Sequence, residues 1–192
     1  LAILDILQKL DPTTNQSTNF PITDFGLALQ QVSMLIKADV GLEVAAIDLG
    51  GWDTHFAQGG TEGQQARLMT ELSEGLAAFH ADMADHMNKL SIVTMSEFGR
   101  RAYENGSLGT DHGHGSMMMV LGGNVDGGKV HGQWPGLEEG QLIGPGDLAA
   151  TVDPSAIALM LPAVQSARES TRRCSQGVID RALAAGVSPE RL

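Results

Sequence analysis

Apolar positions recur along this chain with two periods, and each change of period marks an element. Phe25, Leu27, Leu29, Val32, Leu35 and Ile36 fall at roughly helical spacing. Thr23 and Asp24 stand before them, either able to cap the helix start, and Gly41 follows as the expected C-cap. Val44-Ala45-Ala46-Ile47-Asp48-Leu49 is a short apolar run bounded by Gly41 and by Gly50-Gly51, the form of a buried strand. From Glu62 to Lys89 helical spacing returns, through Leu68, Leu72, Leu76, Phe79, Met83 and Met87. Leu90-Ser91-Ile92-Val93-Thr94-Met95 then reads as a second buried strand. Strand, crossover helix and strand predict a parallel βαβ unit.

The remaining pattern is more broken. Phe98 to Gly109 reads as a loop, and Ser116 to Leu121 as another buried strand whose three consecutive methionines fill core space. Gly122 to Gly132 reads as a hairpin, and Gln133 to Gly146 as a glycine-rich loop. At the start, Leu1, Ile3, Leu4, Ile6, Leu7 and Leu10 form an amphipathic helical pattern stopped by Asp11-Pro12. Asp147 to Leu192 is expected to be helical, with breaks at Pro162, near Gly177 and at Gly186. No internal repeat or low-complexity segment interrupts the order.

Composition narrows the functional classes. A length of 192 residues suits one sizeable core. The net charge of -11 disfavours nucleic acid as a partner, because phosphate contacts need clustered Lys and Arg. The single Cys174 allows no disulfide within the chain, and no apolar run is long enough to span a membrane. The chain opens on Leu1, already in an amphipathic pattern, and is expected to be a piece of a longer protein.

The polar residues of interest lie where predicted strands stop. Asp53 and His55 follow the first, and Ser96, Glu97 and Arg100 the second. In open α/β sheets the ligand rim is at the carboxyl ends of strands. Asp-x-His by itself is a weak signal, although its carboxylate and imidazole suit zinc, manganese or iron. Asp111-His112-Gly113-His114-Gly115 is stronger: three potential ligands within four residues, with glycines that let backbone wrap an ion. Glu97 adds a ligand or a general base, and Arg100 a bidentate clamp for anionic oxygens. Taken singly, each residue has an ordinary structural explanation: a turn cap, a satisfied backbone group, a solvated loop. Their recurrence at three successive strand boundaries favours a polar site. His80 and His86 lie on the long helix, away from any strand end, and are expected to be surface or boundary residues.

Gly50-Gly51-Trp52-Asp53-Thr54-His55, Thr94-Met95-Ser96-Glu97-Phe98-Gly99-Arg100, Gly109-Thr110-Asp111-His112-Gly113 and the stretch from Gly122-Gly123 to Gly132 occur in this order. Through them, Phe25 to Gly132 resembles the C-terminal part of the domain-of-unknown-function 1501 family, a sulfatase-like branch of the alkaline phosphatase superfamily. The resemblance implies a three-layer α/β/α fold: part of an alkaline-phosphatase-like central sheet with helices on both faces. It implies that Asp53 and His55 are the first two ligands of one metal, and His112 or His114 the third. The second metal's Asp-His pair falls on Glu97 and Phe98; Phe98 cannot bind metal, so Asp111 compensates or that metal is missing. The superfamily nucleophile precedes the Asp-x-His segment, and nothing before Val44 looks like a strand followed by one. Family members commonly look exported, so the full-length protein is expected to be periplasmic or secreted.

These observations predict a hydrolase-like domain that uses a divalent metal, zinc before manganese, magnesium or calcium. Its substrates would be small anionic esters of phosphate or sulfate. Residues 1–153 would be the C-terminal part of the domain, lacking its nucleophile, and residues 154–192 a helical tail. The runner-up is a non-catalytic exported binding protein of the same fold with a structural metal. A third reading is a domain whose tail docks a partner, with no metal.

Overall fold

The structure, a computed structural model, describes residues 19–152. Its first helix, α1, is Asp24–Lys37. Thr23 is the N-cap, and its hydroxyl accepts from the Gly26 amide at 3.1 Å. Asp24 in the first turn and Lys37 in the last complement the helix dipole. Phe25, Leu29 and Ser33 are buried at intervals of four, so one face turns inward. The helix closes at Ala38, and Asp39 takes a left-handed conformation (φ 49°) two residues before Gly41, the expected cap.

The long helical pattern forms α2, Gln64–Asp82, which buries Gly75, Leu76, Ala78 and Phe79. A tighter 3-10 segment, Ala84–Lys89, continues it and buries Met87. Gly75 lets the helices approach: a Cβ there would lie 2.6 Å from Phe25 Cε1. Lys37 and Asp82 pair at 2.6 Å where the two C-terminal ends meet. The core is Phe20, Phe25, Leu29, Ala78, Phe79, Met83 and Met87, with Ile47, Leu49, Leu90 and Ile92 packed against it.

Two small antiparallel sheets complete the α/β arrangement. In one, β1 (Ile92–Val93) pairs with a late strand, Val120–Leu121, in register Ile92↔Leu121. In the other, β2 (Gly99–Glu104) pairs with β3 (Thr110–Gly113), placing Arg100 opposite His112. Val120–Leu121 is β4.

Several expectations need correction. Among the described residues β1 pairs antiparallel with β4 rather than parallel with residues 44–49, and those residues form no strand. Val44 to Ala46 are exposed and only Ile47 and Leu49 are half-buried, so a period of two survives at the end of the run alone and without a ladder. The expected loop at Phe98 to Gly109 contains β2 instead. Its Arg, Tyr and Glu side chains hide the strand from a search for apolar runs. Only Val120 and Leu121 of the expected 116–121 strand are paired, and Met117 is 61% exposed rather than core. Residues 122–132 hold no ladder, and residues 147–152 are not helical. The expected helix at Leu1 to Leu10 and the tail at 154–192 lie outside the described residues. No helix among the described residues is long and apolar enough to cross a membrane.

Candidate metal centre

The segment after the apolar run turns at Gly51 (φ 92°) and then lies over the β2–β3 turn. Backbone bonds from Ala57 N to Ser107 O and from Gln58 N to Leu108 O hold it there, both at 2.9 Å. Gly109 has to be small: a Cβ would meet the His55 backbone at 2.3 Å. Thr54 is 2% exposed, and its hydroxyl donates to Gln58 Oε1 at 2.8 Å. Thr110 donates to the same oxygen at 2.7 Å. With Thr54 pinned inward and a tight turn closed from Thr54 N to Trp52 O at 2.9 Å, the side chains of Asp53 and His55 are left partly in solvent.

There they meet His112 from β3. Asp53 Oδ1 lies 3.0 Å from His55 Nε2 and 2.8 Å from His112 Nε2. One ligand atom from each of the three lies within 4.8 Å of the others. Tetrahedral zinc at about 2.0–2.1 Å from its ligands would set them about 3.3 Å apart. The two Asp53 pairs would have to open by a few tenths of an ångström and the two histidine nitrogens, within 4.8 Å of each other, to draw together, and all three side chains are partly solvent-exposed. By its chemistry, one carboxylate and two imidazoles, the donor set is of the kind that can hold a small divalent cation.

The hydrogen bond with His112 holds Asp53 below the ordinary carboxylate value, assisted by His55 and Arg100 against a smaller desolvation effect. His55 Nδ1 faces Asp111 Oδ1 at 3.2 Å, and Asn105 donates to that oxygen at 2.9 Å. When Nδ1 carries the proton, the Nε2 lone pair points at Asp53, and two acceptors face each other across a gap a cation would fill. Asp111 thus orients His55 rather than joining the tight triad, an arrangement common around metal-bound histidines. Asn105, then His55, keep Asp111 below its ordinary value.

The other predicted site residues fall differently. Arg100 donates to the carbonyls of Thr110 and Trp52 and, at 3.3 Å, to Asp53. It ties the three segments together, and two of its five N–H groups remain. Glu97 is exposed on a turn closed by Ser96, which bonds Phe98 O and Ser116 Oγ. It makes no contact with the triad. Phe98 stacks on the His112 ring, with centroids 3.9 Å apart. His114 turns away to Asp147, whose carboxylate accepts from its ring Nδ1 and backbone N–H. Burial works to raise the Asp147 pKa, but bonds from the His114 ring and from the His114 and Leu148 amides hold it below its ordinary value. His80 is exposed and His86 half-buried on their helical segments, and neither joins the triad.

The model of a family of proteins of unknown function, DUF1501, matches residues 25–158. The chain belongs to the DUF1501 family. The match includes every residue of the triad and its supports. No curated protein and no solved structure matches the chain. Sequence reasoning in this DUF1501 chain missed Asn105, which supports Asp111, and Asp147, which holds His114. Asn105 sits at a turn whose Leu108 has φ 59°, and its Oδ1 accepts from Ser107 N and Gly109 N. The Asn-x-x-x-Gly spacing was a signal for that turn. Nothing local marked Asp147, which lies 33 residues from its partner.

Proposed function

We propose that this chain is the metal-holding part of a hydrolase for phosphate or sulfate esters, within a sulfatase-like, alkaline-phosphatase-like domain. The observation that carries the reading is that Asp53, His55 and His112 bring one ligand atom each within 4.8 Å of one another. A divalent cation, zinc foremost, would polarise an ester oxygen and acidify a bound water. Asp53, His55 and His112 would bind it, with Asp111 and Asn105 fixing the His55 ring. The two remaining N–H groups of Arg100 would meet an anionic oxygen beside the cation. Glu97, on its exposed turn, is the candidate base and would have to come closer with substrate bound.

The three-layer arrangement belongs to the same proposal. Ile47 and Leu49 pack on the same core as Ile92, which supports a central sheet that would take in residues 44–49. The full-length protein would be periplasmic or secreted. Phe98 favours a second reading, a binding protein with one structural metal. Its ring covers a face of His112, and it offers no ligand for a second ion.

Turnover of aryl phosphate and aryl sulfate esters by metal-loaded full-length protein, abolished by a chelator, would support the hydrolase. No turnover of either ester by a fully loaded sample would contradict it and leave the structural-metal reading.

A further inference from the structure

We propose that Gln58 is a positioning residue of this centre: its side-chain oxygen sets the spacing between the segment that carries Asp53 and His55 and the strand that carries His112. The inference rests on the metal reading above and adds a residue to it. Thr54 stands between Asp53 and His55, and Thr110 begins β3, just before Asp111 and His112. Both hydroxyls end on one atom. Thr54 Oγ1 donates to Gln58 Oε1 at 2.8 Å, and Thr110 Oγ1 donates to the same oxygen at 2.7 Å. A carbonyl oxygen has two lone pairs, so the two threonines fill it. The hydroxyl oxygens can then stand no further apart than these two bonds allow. The backbone bond from Thr110 N to Thr54 O is longer, 3.3 Å, and holds the same spacing less tightly.

Gln58 is itself held on both sides. Its N–H donates to Leu108 O at 2.9 Å, and its carbonyl accepts from Gln65 N at 3.4 Å. The chain reverses toward Thr54 at Ala57, two residues after His55, in a left-handed conformation (φ 47°). A residue with a Cβ is strained there, and such strain persists only where the surroundings enforce it. Thr54 is 2% exposed, so its hydroxyl has no water to turn to. Loss of the Gln58 oxygen would leave a buried donor unmade, and the segment would shift to satisfy it. A shift of Thr54 or Thr110 passes to the neighbouring ligands. The Asp53–His112 pair at 2.8 Å and the His55–Asp111 pair at 3.2 Å both bridge these two segments. Arg100 joins them as well, through the carbonyls of Trp52 and Thr110, so they stay joined when Gln58 is changed.

The test uses the full chain. Gln58→Met keeps the length of the side chain and removes the acceptor, whereas Gln58→Glu keeps acceptor oxygens. In zinc titrations Gln58→Met should weaken cation binding about tenfold, and Gln58→Glu should bind like the wild type. With cobalt, whose visible absorption reports ligand geometry, saturated Gln58→Met should give a changed spectrum and Gln58→Glu the wild-type one. Leu29→Ala, in the helical core, should lower the urea midpoint and leave affinity and spectrum unchanged. If Gln58→Met does not fold, Thr110→Val removes one of the two bonds and Thr110→Ser keeps both; only the first should weaken binding. The inference is overturned if Asp53→Ala loses the cation while Gln58→Met, or Thr110→Val in its place, matches the wild type in affinity and spectrum; the triad would then stand. Equal weakening in Gln58→Glu or in Leu29→Ala would also overturn it. If the wild type binds no cation, both the triad and this inference fall.

Discussion

At the scale of single residues, the centre depends on side chains that hold other side chains. Asp111 never reaches the tight group, yet it decides which way His55 faces. Asp111→Asn should therefore weaken cation binding about 10–100-fold without abolishing it, whereas loss of a direct ligand should abolish it. Calorimetric titration of both variants separates the two roles. Asp147 also leaves a mark on stability. Its folded pKa lies below the ordinary 3.8, so the stability it contributes is fully present above 3.8. That contribution is lost as pH falls from 3.8 through the lowered value. Urea unfolding of wild type and Asp147→Asn should show a gap that closes over that acidic window. Asp53, His55 and His112 were legible in the sequence because ligand chemistry is a property of residue type. Asn105 was not, because an orienting residue is defined by its distance from something else.

At the scale of elements, strands rather than helices escaped the sequence. The first helix was legible from Thr23 and the face of Phe25 and Leu29, because a cap and a periodic stripe are local. β2 was hidden because its pairing to β3 serves a polar edge. Gly99 faces Gly113 there, and neither has room for a side chain. A Cβ at Gly113 would press on Asp147 Oδ1 and, at 2.8 Å, on the Arg100 carbonyl carbon. Gly113→Ala should cost about 1–3 kcal/mol in urea unfolding, as overpacking does. It should also lower cation affinity, since it pushes β2 away from the strand that carries His112.

At the scale of the molecule, the described residues leave much apolar surface uncovered. Val44 is 84% exposed, Val130 97% and Trp134 72%. The run from Val44 to Leu49 has strand composition, but no backbone hydrogen bond among the described residues. Long-range pairing is not written in a short window of sequence, so its composition was read correctly and its partner was not. If the domain forms the proposed three-layer sheet, amides 45–49 should resist hydrogen exchange in the full-length protein as strongly as those of β1. Exchange at the rate of an open chain would rule that sheet out. The central claim concerns the whole site and is tested by cation binding. Titration of the chain with zinc should find a cation bound at the triad, lost in Asp53→Ala and retained in His80→Ala. No binding by the wild type, or equal loss in both variants, would contradict it.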